Sequence, residues 1–229
     1  MDEIMLQNYY RGRIPTRKVV EKLGITHDVF YKRLKEMGLH TKTYYYRQIQ
    51  TGDKVLNQTL KSKYYSIIER SKGTTDYDTY NSYVKSDDYL TIIEYVEFVY
   101  ENIDRLKEMW KEYIDNGKEL KYAISVDRID NTKPYHKENI EFVTSGFNSW
   151  RRNVRPVKVT LDEETNYFLS AQEASNYYDL RRSSIGEILN GRRLYYDKYK
   201  VEHSTIEEVL NKNGVKNLHE YYNEIFNKE

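Results

Sequence analysis

The chain has 229 residues, 38% of them hydrophobic and 32% charged, with a formal net charge of +1. It contains no cysteine, which excludes disulfides, thiol nucleophiles and Cys-based zinc sites, so any metal has to sit on oxygen or imidazole. No run of about 18 apolar residues occurs, and the start MDEIMLQNYY has neither the basic nor the apolar part of a signal peptide, so an intracellular, cytoplasmic chain with no membrane partner is expected.

The near-zero net charge hides an uneven distribution. Residues 85–119 hold ten acids and five bases, whereas "RGRIPTRK" (11–18) and "NSWRRNVRPVK" (148–158) each hold four bases and no acid. Clustered Lys and Arg on an otherwise balanced chain suit a polyanion, whose phosphates supply most sequence-independent affinity. The 25 tyrosines, beside only three alanines, fit the codon bias of an AT-rich genome and carry little functional information by themselves.

In chain order, four parts are expected: 1–43, 44–155, 156–203 and 204–229. The first contains "RIPTRKVVEKLGITHDVFYKRLKEMGL". Val20 and Leu23, then Gly24, then Thr26 ahead of Val29, Phe30 and Leu34, predict a helix, a tight turn and a second helix capped by Thr26. This is a helix-turn-helix pattern, in which the second helix would offer His27, Asp28, Tyr31 and Lys32 to base edges.

The second part opens with a helix in which Leu56, Leu60, Tyr64 and Ile67 recur at steps of four, four and three. After the polar stretch "KGTTDYDTYNSY", helical periodicity resumes over 88–115 and stops at Asn116-Gly117. Next, "KYAISVD" alternates into a strand ending at Asp127, "NIEFVT" makes a second strand, and "SGFNSWRRN" begins a helix near Ser145. In a strand-loop-strand-helix unit, Asp127 at a strand end and Asn148 in the first helical turn offer two oxygen ligands to a hard divalent cation.

The third part reads as two short strands in "VKVTLDEETNYFLS", a helix capped by Ser170 and Glu173, and a second helix that starts at Ser183 or Ser184 and ends at Gly191. Arg181, Arg182, Arg192 and Arg193 flank that second helix. The tail from Ser204 reads as one or two mixed-charge helices of unassigned task. The fold class expected is α+β, mainly helical.

The central residues resemble the HNH, or ββα-metal, nucleases. The pattern Asp127-Arg128, Asn139 and Asn148, with Arg151 and Arg152 behind, looks especially like that of phage-borne HNH homing endonucleases, and the resemblance covers roughly residues 56–155. The flanking modules extend it over most of the chain. It implies a ββα-metal core at about 120–155 and a monomeric DNA endonuclease that nicks or cuts double-stranded DNA in a bacterial or phage-infected cell. It also implies one Mg²⁺ or Mn²⁺ held by Asp127 and Asn148, with no small-molecule cofactor. Asn139 would fix the loop through backbone hydrogen bonds, and Arg151 or Arg152 would touch DNA phosphates.

One position departs from the family pattern. The general base is a histidine directly after the metal-binding Asp, and here Arg128 stands there, which cannot give up its proton near neutral pH. Asp130, slightly ahead of His136, is the expected substitute, with Arg128 an electrostatic stabiliser of the phosphate. The rival is a DNA-binding regulator whose nuclease core survives as scaffold. A third reading is an RNA-directed nuclease or binder.

Overall fold

The computed structural model describes residues 3–72, 89–192 and 198–226, and divides the chain into two compact units, Met1–Ser145 and Gly146–Glu229. The expected stretch "KGTTDYDTYNSY" lies almost wholly outside the described residues. As expected, the fold is mixed α+β and mostly helical.

The first unit begins with α1 (Glu3–Tyr10), α2 (Thr16–Leu23), α3 (His27–Glu36) and α4 (Lys42–Gln48). Gly24 adopts φ 62°, a left-handed conformation that glycine takes without steric cost, and ends α2. The Thr26 hydroxyl then accepts from Val29 N and caps α3. Neither α1 nor α4 is marked in the sequence by a long apolar repeat.

Next come α5 (Lys54–Lys72), α6 (Ile92–Glu101) and α7 (Ile103–Asp115). The periodicity over 88–115 suggests one helix, but it breaks at Asn102, whose φ is −111° and whose side chain donates to Phe98 O. A side chain that satisfies the end of one helix lets the next start in a new direction while the apolar spacing continues. The hairpin β1 (Ile124–Arg128) and β2 (Ile140–Thr144) closes the unit.

One hydrophobic core runs from Met5 on α1 to Phe142 on β2, so residues of 1–43 share a core with the segment that follows. Tyrosine fills much of it. Tyr9, Tyr64, Tyr89 and Tyr95 are fully buried, and their hydroxyls are satisfied by backbone: Tyr64 donates to Tyr10 O and Leu90 O, Tyr95 to Leu60 O and Tyr89 to Arg11 O.

The second unit begins one residue into α8 (Ser145–Arg152) and continues with β3 (Val157–Leu161), β4 (Glu164–Phe168), α9 (Ala171–Tyr177), α10 (Arg182–Leu189), β5 (Tyr199–His203), α11 (Ile206–Lys212) and α12 (Leu218–Phe226). The sheet order is β4-β3-β5, all antiparallel. β5 is a strand beyond the two expected. The two-residue turn Asp162-Glu163 has positive φ at both positions, the backbone that matches strand twist in a tight hairpin.

Val157, Val159, Phe168 and Val201 pack on one sheet face with α9 and α10, through Ala174 and Ile185. Tyr167 lies on the other face with α11 and α12, through Val209 and Tyr221. Ser170 caps α9 through Glu173 N, while the Glu173 carboxylate reaches Leu169 N, one residue before the cap. α10 starts at Arg182 after Arg181, without a side-chain cap, so neither Ser183 nor Ser184 begins it; Ser184 is instead buried.

Glu173 also receives a hydrogen bond from the Tyr221 hydroxyl. Burial pushes its carboxyl above the usual glutamate range, opposed by the Leu169, Tyr221, Trp150 and Ser170 hydrogen bonds. The folded state therefore holds this proton more tightly than the unfolded chain. Its contribution is most favourable at acid pH and is lost as pH rises from about 4.3 through the raised folded pKa. Glu173→Gln, which keeps an acceptor for both donors, is expected to raise the melting temperature at neutral pH and to lose that advantage near pH 4. Parallel melting curves across pH check this, and a constant difference would contradict it.

Candidate active site in the β1–β2 hairpin

The hairpin is built by a strict pleat. Its register pairs Asp127 with Glu141, Val126 with Phe142 and Arg128 with Ile140. Alternation sends Ile124, Val126 and Arg128 to one face with Ile140 and Phe142, and Ser125 and Asp127 to the other with Glu141 and Val143. The first face enters the unit's core, where Ile124, Val126, Ile140 and Phe142 are buried, and the Phe142 ring stacks on Phe98 of α6.

The charge-rich connection between the strands is tied by one side chain. The Asn139 Oδ1 accepts from Asp130 N at 2.8 Å, while its Nδ2 donates to Asp130 O at 3.0 Å and Pro134 O at 2.9 Å, with Lys133 O at 3.4 Å. Its backbone adds Ile129 N to Asn139 O and Asn139 N to His136 O. Asn139 is only 7% exposed, so these bonds compete little with water.

Further contacts seat the loop on the helices. Tyr135 is buried; its carbonyl accepts from Leu90 N, and its hydroxyl accepts from Arg70 of α5. Lys137 pairs with Glu101 at 2.6 Å and Glu97 at 3.3 Å on α6, and Glu101 followed by Glu97 raises its pKa. The acidic face of α6 is thus partly used to hold a loop lysine.

Two expected roles change. Arg128 is 2% exposed, lies on the face opposite Asp127, donates to Lys133 O at 3.1 Å and sits over the Tyr135 ring at 5.1 Å. A guanidinium so buried fixes the loop and has no open surface for a phosphate. Asp130 accepts from the Thr132 hydroxyl at 2.6 Å and Thr132 N at 2.9 Å, with Lys133 Nζ at 3.3 Å. The Thr132 side chain, then its backbone, hold the Asp130 carboxyl below the usual aspartate range, which makes it a poorer base than an ordinary carboxylate. His136, the other base candidate, is half-buried in the same loop.

Asp127 and Asn148 are both buried, at 8% and 6% exposure. Asp127 belongs to the first unit and Asn148, on α8, to the second. Both offer the hard oxygen donors that suit Mg²⁺. Among the described residues, no group of three or more His, Cys, Asp or Glu side chains could hold a metal. Glu141, which the sequence reading passes over, shares the face of Asp127 as its cross-strand partner; only the register makes it a neighbour.

Within the second unit, α8 is held by α12. Phe147 stacks on His219 at 3.9 Å, and Trp150 lies 5.2 Å from Tyr222. The tail thus positions the helix that carries Asn148, Arg151 and Arg152. Arg152 is exposed and Arg151 half-buried; Arg181 and Arg192 are exposed at the two ends of α10. Arg193, and the side chain of Arg182, lie outside the described residues. On α3, His27, Asp28, Tyr31 and Lys32 are all exposed, with Phe30 and Leu34 buried beneath.

Comparison with protein-family models, with curated proteins and with solved structures gives no match. Among the described residues, no helix is long and apolar enough to cross a membrane.

Asn139→Ala removes partners from Asp130 N and from buried loop carbonyls, and is expected to cost about 2–4 kcal/mol. Urea unfolding with amide exchange of residues 129–137 measures it; a loss under about 0.5 kcal/mol would remove Asn139 as the loop's main tie.

Proposed function

We propose that the chain is a metal-dependent DNA endonuclease of the HNH type, which hydrolyses or nicks a phosphodiester within a long double-stranded site. The observation that carries this reading is the antiparallel hairpin with a buried carboxylate, Asp127, near the end of β1 and a loop bound to itself by Asn139. The helix α8 follows β2 without an intervening residue, which supports the ββα order.

In this reading Asp127 and Asn148 would hold one Mg²⁺ or Mn²⁺, which would supply Lewis-acid neutralisation of charge at the scissile phosphate. Asn139 keeps the loop in one conformation, so that His136 is presented at a fixed position to take a proton from water. Arg128 supports the loop from the core side. Side chains at the two ends provide affinity and register: His27, Tyr31 and Lys32 on α3, and Arg151, Arg152, Arg181 and Arg192 in the second unit, with Arg182 and Arg193 assigned from sequence alone.

A second reading is favoured by one observation, the buried structural Arg128 where the family has its base. It makes the chain a DNA-binding regulator with an inactive core. Both readings give salt-sensitive DNA binding. Only the enzyme gives divalent-metal-dependent scission of plasmid DNA. The expected result is scission by the wild type with Mg²⁺ or Mn²⁺, lowered at least about 100-fold in Asp127→Ala and Asn148→Ala, while DNA binding stays within about threefold. His136→Ala is expected to lower the rate without abolishing metal dependence. No scission of supercoiled plasmid or native flanking DNA with any divalent ion would leave the regulator.

A further inference from the structure

We infer that the groove between α3 and α4 is a second nucleic-acid contact, which seats the sugar-phosphate backbone of duplex DNA beside the recognition helix, with Lys35 and Arg47 taking phosphates. This rests on the DNA-binding part of the reading above and is independent of cleavage. The groove has a volume of about 480 Å³ and lies wholly within the first unit. Tyr31, Leu34 and Lys35 of α3 form one wall, three positions of a single helical face. His40, Thr41, Tyr44 and Arg47 contribute from the turn and from α4.

Three observations point to a polyanion. The lining contains Lys35, Arg47 and His40 but no Asp or Glu. Lys35 and Arg47 are exposed, and among the described residues neither side chain meets a carboxylate, whereas Arg17 pairs with Glu21 and Lys137 with Glu101. Lys42, the cation between them in sequence, is turned inward instead: its Nζ donates to Ile14 O and lies 4.5 Å over the Tyr9 ring. Two of three lysine and arginine charges thus remain on the groove while the third is used by the fold.

The walls also suit a strand's sugars. His40 stacks on Tyr44 at 3.8 Å with 26° between the rings, which makes a flat aromatic surface, and Tyr31 and Tyr44 are each 41% exposed. Leu34, at 1% exposure, forms an apolar floor. Cationic rims, aromatic walls and hydroxyls at Thr41 and Thr43 are the groups that bind phosphates and sugars without reading bases. Because Tyr31 lies on both the exposed face of α3 and the groove, a backbone seated here continues from DNA docked on α3.

The test measures binding of the full chain to fluorescein-labelled duplexes of two unrelated sequences, and to the single strand of one of them, as a function of salt. Lys35→Gln/Arg47→Gln is expected to weaken both duplexes equally, by roughly tenfold, and to lower the slope of log affinity against log salt by about 2, one phosphate contact each. Lys35→Arg/Arg47→Lys is expected to restore both. Tyr44→Ala is expected to weaken binding with the slope unchanged. A wild-type slope in the double variant, with duplex binding intact, overturns this inference and leaves the proposed function standing. A loss confined to the single strand, or to one duplex sequence, overturns the duplex-backbone assignment. Failure of the wild type to bind any of the probes overturns this inference and the DNA-binding reading together. Urea midpoints and the Lys35→Ala/Arg47→Ala pair guard against a folding defect in any one variant.

Discussion

A single carboxamide governs the central hairpin. The connection between β1 and β2 carries charge at many positions and has little apolar surface of its own, so hydrophobic burial alone cannot fix it. Asn139 supplies what is missing, with its acceptor to Asp130 N and its donors to Asp130 O and Pro134 O. Closing the loop on itself brings Tyr135 into the core and aims Arg128 at Lys133 O. An isolated two-stranded hairpin is marginal in water. This one persists because its apolar face joins the helical core of the first unit through Ile124, Val126, Ile140 and Phe142.

The fold sorts the many charges that surround this small sheet. Arg128 and Asp127 are neighbours in the chain, yet the pleat sends them to opposite faces. Arg128 goes inward and is satisfied by a carbonyl and a ring, while Asp127 shares its face with Glu141. Asp130 is used by Thr132 and Lys133, and Lys137 by α6. Arg128, Asp130, Lys133 and Lys137 thus have structural roles, and Asp127 and His136 are the groups the proposed chemistry uses.

The second unit follows another plan. Its sheet carries helices on both faces, with the Val157, Val159 and Phe168 core on one side and the Tyr167, Val209 and Tyr221 core on the other. Within it, α12 stacks His219 and Tyr222 against Phe147 and Trp150 of α8. A helix of eight residues is too short to be stable by itself. The aromatic contacts from the tail therefore determine the orientation of α8, and of the proposed metal ligand and phosphate-binding arginines on it.

What the sequence by itself determined is local. Thr26 and Ser170 mark helix starts, Gly24 and Gly191 mark helix ends, and the alternation in "AISVD" and "IEFV" marks strands, because capping, left-handed φ and the two-residue pleat are set by neighbours in the chain. Asn139 was legible as a loop-fixing residue only through the family resemblance. The tertiary structure decided the rest. Apolar spacing could not reveal the break at Asn102, since both helices present the same kind of face to the core. β5 exists because β3 has a free edge to pair, not because its five residues insist on it. The inward turn of Arg128, the occupied carboxylate of Asp130, the pairing of Asp127 with Glu141 and the α3–α4 groove cations, which meet no carboxylate among the described residues, all depend on groups brought together by packing, and a linear pattern holds no record of which charges the fold will consume.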